Sequence, residues 1–155
     1  MKKTNAARIL DSKKIPYEII EYKVDEADLS AVHVAETLGQ SAEQVFKTLV
    51  MRGNVIGIFV AIIPGNAEVN LKKAAKISGN KNTEMVQMKE LLPLTGYIRG
   101  ACSPVGMKKQ YPTYIHESCL NYETIFVSAG MRGLQLKLNP RDLISCISAE
   151  VCDLI

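Results

Sequence analysis

The chain has 155 residues, 47% of them hydrophobic and 23% charged, which suits one compact globular domain and excludes a collagen-like, fibrous or disordered protein. Nineteen basic against sixteen acidic residues leave a formal net charge of +3, which permits a nucleic-acid partner without demanding one. The charged start Met1-Lys2-Lys3-Thr4-Asn5 leads into no apolar run, no stretch reaches bilayer length, and the four cysteines form no CxxC pair; a cytoplasmic chain is expected, with no signal peptide, no membrane association, reduced thiols and no zinc site.

Thr4 or Asn5 caps a first helix reaching about Lys13, with Ile9 and Leu10 on its inner face, and Pro16 closes the approach to a strand, Tyr17 to Tyr22. After the polar stretch Asp25 to Ser30, Ala31 to Leu38 reads as a helix stopped by Gly39. Ser41-Ala42-Glu43-Gln44 matches a capping box opening a short helical turn. Val45 to Met51 and Val55 to Ile63 read as a hairpin turning at Gly53-Asn54 and broken by Pro64-Gly65-Asn66. Asn70 caps a basic helix, Leu71 to Ile77, stopped by Gly79, and a short helix near Met88 to Leu92 ends at Pro93.

The second half is strand-rich and punctuated by glycine. Strands are expected at Tyr97-Ile98, Thr113 to Ile115, Thr124 to Val127 and Leu134 to Leu138. Asn139 and Pro140 open a helix from Arg141 to Ile147, and a last short strand falls near Val151. Hairpins recur and regular βαβ units do not. The expected fold class is therefore α+β, one domain over residues 1–155, with a mixed, mostly antiparallel, curved sheet and flanking helices.

Lys47 sits inside an apolar strand and has two readings. Alternation lets Phe46, Thr48 and Val50 share the buried face, with Lys47 on the solvated one. The other reading points its ammonium into a cleft, toward a phosphate or carbonyl oxygen. The loop Gly100-Ala101-Cys102-Ser103-Pro104-Val105-Gly106 and the turn Ser128-Ala129-Gly130-Met131-Arg132-Gly133 are ordinary turns or, alternatively, cradles of backbone N–H groups for an oxyanion or phosphate. In the turn, Ser128 or Arg132 could touch a substrate. Lys72, Lys73, Lys76, Lys108 and Lys109 form a solvated basic face or meet RNA phosphates. Cys102 lacks a neighbouring base in sequence and reads as an incidental loop residue rather than a nucleophile; His116 could reach it only through the fold.

Four segments occur in an order that resembles the YbaK family: Val45-Phe46-Lys47-Thr48-Leu49; Leu71-Lys72-Lys73-Ala74-Ala75-Lys76; Thr95 to Lys109; and Val127 to Leu134. These are the bacterial Cys-tRNA(Pro) deacylases, related to the editing domain inserted in bacterial prolyl-tRNA synthetases. The resemblance spans nearly the whole chain and implies a YbaK-like fold with an editing activity that needs neither metal nor organic cofactor. Cysteine and proline are similar in size, so a hydrophobic synthetase pocket separates them poorly and a second, hydrolytic site is required.

By this resemblance Lys47 is the residue most tied to activity. The GxxxP loop, Gly100, Ala101, Cys102, Ser103 and Pro104, offers backbone N–H groups near the scissile ester, with Gly100 and Ser103 in the catalytic set. Tyr22, Thr48 and Ser128 match further substrate-binding positions. Where related members carry an aspartate after Arg-Gly-Leu this chain has Gln135, which hydrogen-bonds but cannot act as a base. That departure leaves cysteinyl and alanyl esters both open as substrates. The family analogy assigns the attack to the substrate's own thiol, with water as the alternative. The implied partners are tRNA and prolyl-tRNA synthetase. A non-catalytic tRNA- or synthetase-binding module and a cysteine hydrolase using Cys102 are the competing readings; the intact Lys47 and GxxxP loop argue against the first.

Overall fold

The computed structural model describes residues 3–155; Met1 and Lys2, part of the charged start, lie outside them. In chain order come α1 (Asn5–Ser12), β1 (Tyr17–Glu21), α2 (Ala31–Leu38), β2 (Phe46–Gly53), β3 (Gly57–Pro64), α3 (Leu71–Ser78), β4 (Thr83–Met85) and α4 (Met88–Thr95). They are followed by β5 (Thr113–His116), a 3₁₀ turn (Glu117–Asn121), β6 (Ile125–Ser128), β7 (Leu134–Leu138), α5 (Pro140–Ile147) and β8 (Glu150–Cys152).

The helix starts follow the side-chain chemistry of the sequence. Thr4, Ser30, Asn70 and Asn139 each accept a hydrogen bond from a first-turn N–H of α1, α2, α3 and α5. Pro140 takes the first helical position, where its missing N–H is harmless. Gly39 and Gly79 close α2 and α3 at φ +68° and +77°, a conformation that costs glycine nothing.

Two sheets form. One is antiparallel, in the order β1-β7-β6; the other is mixed, in the order β4-β2-β3-β5-β8. Within the second, β3 with β5 and β5 with β8 are parallel, while β2 pairs antiparallel with both β3 and β4. A single parallel bridge, Val45 to Phe126, joins the sheets. The main core lies between them and is closed by α1 and α5, with Leu10, Phe46, Ile62, Ile115, Leu136 and Leu143 buried there. Each such side chain contributes about 1.5–3 kcal/mol. The opposite face of the five-stranded sheet packs Met51, Phe59, Ala61 and Ile63 against Ala74 of α3. The opposite face of the three-stranded sheet is covered near Phe126 by Val34 and Ala35 of α2.

Several expected elements change. Val55 and Ile56 belong to the turn, not to β3; they are 63% and 42% exposed, and Asn80 Oδ1 accepts from both their N–H groups. The Ser41 capping box gives only a hydrogen-bonded turn, because Gln44 sends its amide to the Thr124 carbonyl instead of back to Ser41. Pro93 does not end α4. One missing bond is tolerated in a helix held by the Gln87–Glu90 capping box and finished at Gly96. Tyr97-Ile98 is no strand, because its groups serve the adjoining loop. The short edge strand β4, too brief to show alternation, and the parallel pairings of β5 were not expected.

Candidate active site

The site grows from an uncovered strand edge. Strand β4 pairs with β2 only at Met51, Arg52 and Gly53, and the ladder ends where Val86 N–H donates to the Val50 carbonyl. Alternate residues of a strand send their backbone groups to the same side, so the N–H and C=O of Thr48 face the side that β4 leaves open. A cavity of about 510 Å³ lies there. Its walls are Val45 with β2 from Phe46 to Val50, the start of α4, the flap Ala27–Ser30, the start of α2, Arg99 with Gly100 and Cys102, and Ser128 and Gln135 from the other sheet.

Of the residues implied by the resemblance, Lys47, Thr48, Gly100, Cys102, Ser128 and Gln135 line this cavity, while Tyr22, Ala101, Ser103 and Pro104 do not. Tyr22 packs under α2 beside Phe126. Ser103 is fully buried, and its hydroxyl accepts the Val105 N–H at 3.1 Å, so its side chain braces the loop from behind.

Lys47 shares its strand face with Leu49 and Met51, as alternation requires, yet its ammonium is not free in solvent. Nζ donates to the Gly65 carbonyl at 3.2 Å. Burial holds its pKa below the ordinary lysine value, opposed by the Glu68 carboxylate. Gly65 is needed there, since a Cβ would stand 2.6 Å from the Val45 carbonyl oxygen and 2.8 Å from Ala31 Cβ.

The glycine loop opens with a turn closed by Ala101 N–H to the Ile98 carbonyl at 3.0 Å. Gly100 takes its third position at φ +82°, which a type II turn demands. Leu29 of the flap lies 3.3 Å from where a Gly100 Cβ would stand, so flap and loop close on each other. Tyr97 locks the arrangement from beneath. Its hydroxyl donates to the Val105 carbonyl at 2.5 Å, and its side chain fills the space that a Cβ at Gly106 or Gly130 would need, 2.9 Å in each case. Burial pushes its pKa up to about 12. The role of Tyr97 is missed in the sequence reading, because Gly106 and Gly130, which make room for its side chain, are brought to it only by the fold.

The Cys102 thiol is pushed up to about 12 by burial, so it is a protonated, inert group at neutral pH. No histidine lines the cavity. His116 lies elsewhere, its Nδ1 accepting the Leu154 N–H at 3.1 Å. Nucleophilic catalysis by Cys102 therefore lacks both a thiolate and a base. Arg99 lines the mouth, and Arg132 Nε donates to the Arg99 carbonyl at 2.9 Å. Among the described residues neither guanidinium has a carboxylate within 4.0 Å. The α4 wall is tied to β2 by a two-pronged Arg52–Glu90 pair at 2.6 and 3.2 Å.

The cavity is a cleft of ordinary ligand-pocket size, walled by one partly desolvated lysine, the start of the glycine loop and Arg99. The family model for the aminoacyl-tRNA editing domain matches residues 26–146. EbsC of Enterococcus faecalis, a candidate Cys-tRNA(Pro)/Cys-tRNA(Cys) deacylase, is 50% identical over 98% of this chain and 93% of its own. A proline–tRNA ligase of Thermosipho melanesiensis is 28% identical over 77% of this chain, which corresponds to 23% of the ligase. The solved structure of a candidate trans-editing enzyme for prolyl-tRNA synthetase superposes with a TM-score of 0.83, at 24% identity, over 99% of this chain and 98% of that one; it shares the fold. This chain belongs to the aminoacyl-tRNA editing domain family.

Proposed function

We propose that this protein is a free-standing aminoacyl-tRNA deacylase that removes cysteine from mischarged tRNA(Pro), with Cys-tRNA(Cys) as a second substrate. The observation that carries the reading is the convergence of Lys47, Gly100 and the Ser128–Gln135 strand pair on one cavity at the open edge of β2. A volume of about 510 Å³ suits an aminoacyl group with part of its terminal nucleoside, and excludes the body of a tRNA. Half-identity to EbsC over nearly both full lengths supports the substrate.

The net reaction adds water across the ester: the carbonyl carbon gains hydroxyl and the ribose oxygen leaves with a proton. The carbonyl oxygen gains charge in the transition state. We assign its stabilisation to the backbone N–H groups of Gly100 and Cys102, the two residues of the loop that line the cavity, since donors fixed in advance need no reorganisation during the reaction. Lys47 anchors the terminal nucleotide through a phosphate or hydroxyl oxygen, exchanging its bond to Gly65 for one to substrate. Arg99 and Arg132 carry the adjoining phosphates. So small a protein has little surface for choosing among tRNAs, and prolyl-tRNA synthetase in a transient complex supplies that choice. Such work belongs where tRNA is charged, in the cytoplasm.

The test is deacylation of preformed Cys-tRNA(Pro), Ala-tRNA(Pro) and Pro-tRNA(Pro), wild type beside Lys47→Ala. Rapid loss of the cysteinyl ester is expected, slowed about 10²–10³-fold by the substitution. Failure to cleave any ester would sink the deacylase reading. Wild-type rates in Lys47→Ala would remove the lysine from the mechanism.

A further inference from the structure

The flap that walls the cavity is folded by two aspartates. Asp25 Oδ1 accepts the Ala27 N–H at 2.9 Å, Asp28 Oδ1 accepts the Ser30 N–H at 3.1 Å, and the Asp28 N–H donates to the Asp25 carbonyl at 3.0 Å. Ser30 in turn caps α2, its hydroxyl accepting the His33 N–H. Each aspartate thus uses one carboxylate oxygen to shape the flap. The other oxygen of each stands beside one imidazole: Asp25 Oδ2 lies 3.8 Å from His33 Nε2, and Asp28 Oδ2 lies 3.9 Å from Nδ1. Glu36, one turn along α2, brings Oε2 to 3.9 Å from Nδ1 as a third carboxylate. Lys23, which lines a second cleft with Asp25 and His33, is the cation on that side.

All three distances exceed hydrogen-bond reach. A neutral ring therefore binds none of the carboxylates and leaves three like charges gathered around it. A protonated ring attracts all three. Histidine is the side chain whose charge changes between pH 5 and 8. Hydrogen bonds from Ser30 hold the Asp28 carboxyl below its ordinary value, with His33 adding to the effect, so Asp28 keeps its charge through that interval. These groups are partly exposed, and such pairs are individually weak, which leaves the flap free to move.

Movement at this place bears on the cavity. Residues 27–30 form part of its wall, and Leu29 closes on Gly100 of the glycine loop. Asp28 belongs both to that wall and to the imidazole cluster. His33 does not line the cavity and acts on it only through the flap.

We infer that His33 is a charge-dependent clasp on this flap: its charged ring draws Asp25 and Asp28 onto α2 and holds Leu29 against Gly100, and its neutral ring lets the flap open to admit the aminoacyl end. His33 is a positioning residue in this scheme. The inference rests on the deacylase reading only for what passes the flap.

The experiment measures amide hydrogen exchange of residues 25–30, corrected for intrinsic rates, at pH 5.5, 6.5 and 7.5 in full-length wild type, His33→Gln and His33→Lys. Glutamine is neutral and lysine charged at every one of these pH values. Wild-type protection should be about three- to tenfold higher at pH 5.5 than at pH 7.5. It should be low throughout in His33→Gln and high throughout in His33→Lys. His116 is common to all three proteins, so its titration cancels in the comparison. On Cys-tRNA(Pro), the ratio of wild-type to His33→Gln kcat/KM should fall about threefold from pH 7.5 to pH 5.5, with His33→Lys low at both. The same pH dependence in His33→Gln as in wild type, or a flap as open in His33→Lys as in His33→Gln, overturns the clasp. An active enzyme whose kcat/KM ratio stays level overturns its role as a gate. If wild type cleaves no ester, the deacylase reading falls, and the exchange measurement still decides whether His33 holds the flap.

Discussion

At the corner where β5, β8 and α3 meet, polar groups are closed upon one another. His116 Nδ1 accepts the Leu154 N–H, Asn70 N–H donates to the Leu154 carbonyl at 2.7 Å, and Lys73 bonds both Asp153 and the Ile155 carbonyl. Across the molecule, at the open edge of β2, Thr48 and Gln135 keep unpaired oxygens and Arg99 and Arg132 lack acids. The first corner holds a chain segment in place; the second holds bonding capacity in reserve. The difference teaches where to expect each effect of mutation. Substitutions at the corner should change stability and spare turnover, and those in the cavity should change turnover and leave stability equal or higher.

The largest expected departure from that division is Gly130→Ala. A Cβ at this position meets the Tyr97 ring at 2.9 Å, and the backbone stands at φ +99°, which alanine rarely adopts. Tyr97 is where the stability of the fold and the geometry of the cavity coincide. The variant should lose about 1–3 kcal/mol from overpacking alone, more with the backbone strain, and fail in deacylation as well. Denaturant titration beside single-turnover rates checks both. A stable, fully active Gly130→Ala would show that Tyr97 does not lock the loops.

Next comes the corner itself. Burial depresses the His116 pKa below the ordinary histidine value, against the pull of Asp153 and Glu117 and with the help of Lys73. A base with a depressed folded pKa contributes stability that is complete above its unfolded pKa of about 6.5 and declines as pH falls from there toward the folded value. Protonation of Nδ1 removes the acceptor from the buried Leu154 N–H. Stability should therefore drop as pH goes from 7 to 5, and His116→Phe should flatten that dependence while costing about 1–3 kcal/mol at pH 7 for the unpaired donor. A pH series of urea midpoints gives the answer. An equally steep slope in His116→Phe would clear His116 of the effect.

How far the sequence showed this contrast can be argued residue by residue. Helix ends were legible because Asn70, Gly79, Asn139 and Pro140 act locally, through their own backbone and side chains. Gln135 was misleading on pattern alone. Leu134, Leu136 and Leu138 face the main core, so alternation puts Gln135 and Lys137 on the other face, ordinarily solvated. Tertiary cover makes the difference: α2 and the flap roof that face at the Gln135 end and turn a surface position into the cavity floor. Lys47 was ambiguous for the same reason, because its acceptor, the Gly65 carbonyl, is brought to it by the hairpin. Val55 and Ile56 looked like strand because apolar character outweighed the turn, whose anchor Asn80 lies more than twenty residues on.

The smallest expected effect concerns Cys102, which belongs to the cavity by position but to the closed corner by chemistry. Its thiol is pushed up to about 12 by burial, so at pH 8 it stays protonated. Alkylation requires the thiolate and access to it. Iodoacetamide at pH 8 should therefore leave Cys102 unmodified in the folded protein while unfolded chains react at all four cysteines, which peptide mass spectrometry resolves. Rapid labelling of Cys102 with parallel loss of deacylation would reverse the assignment: the thiol would then have a depressed pKa, a base within reach that the structure does not show, and a claim on the role given to the glycine loop.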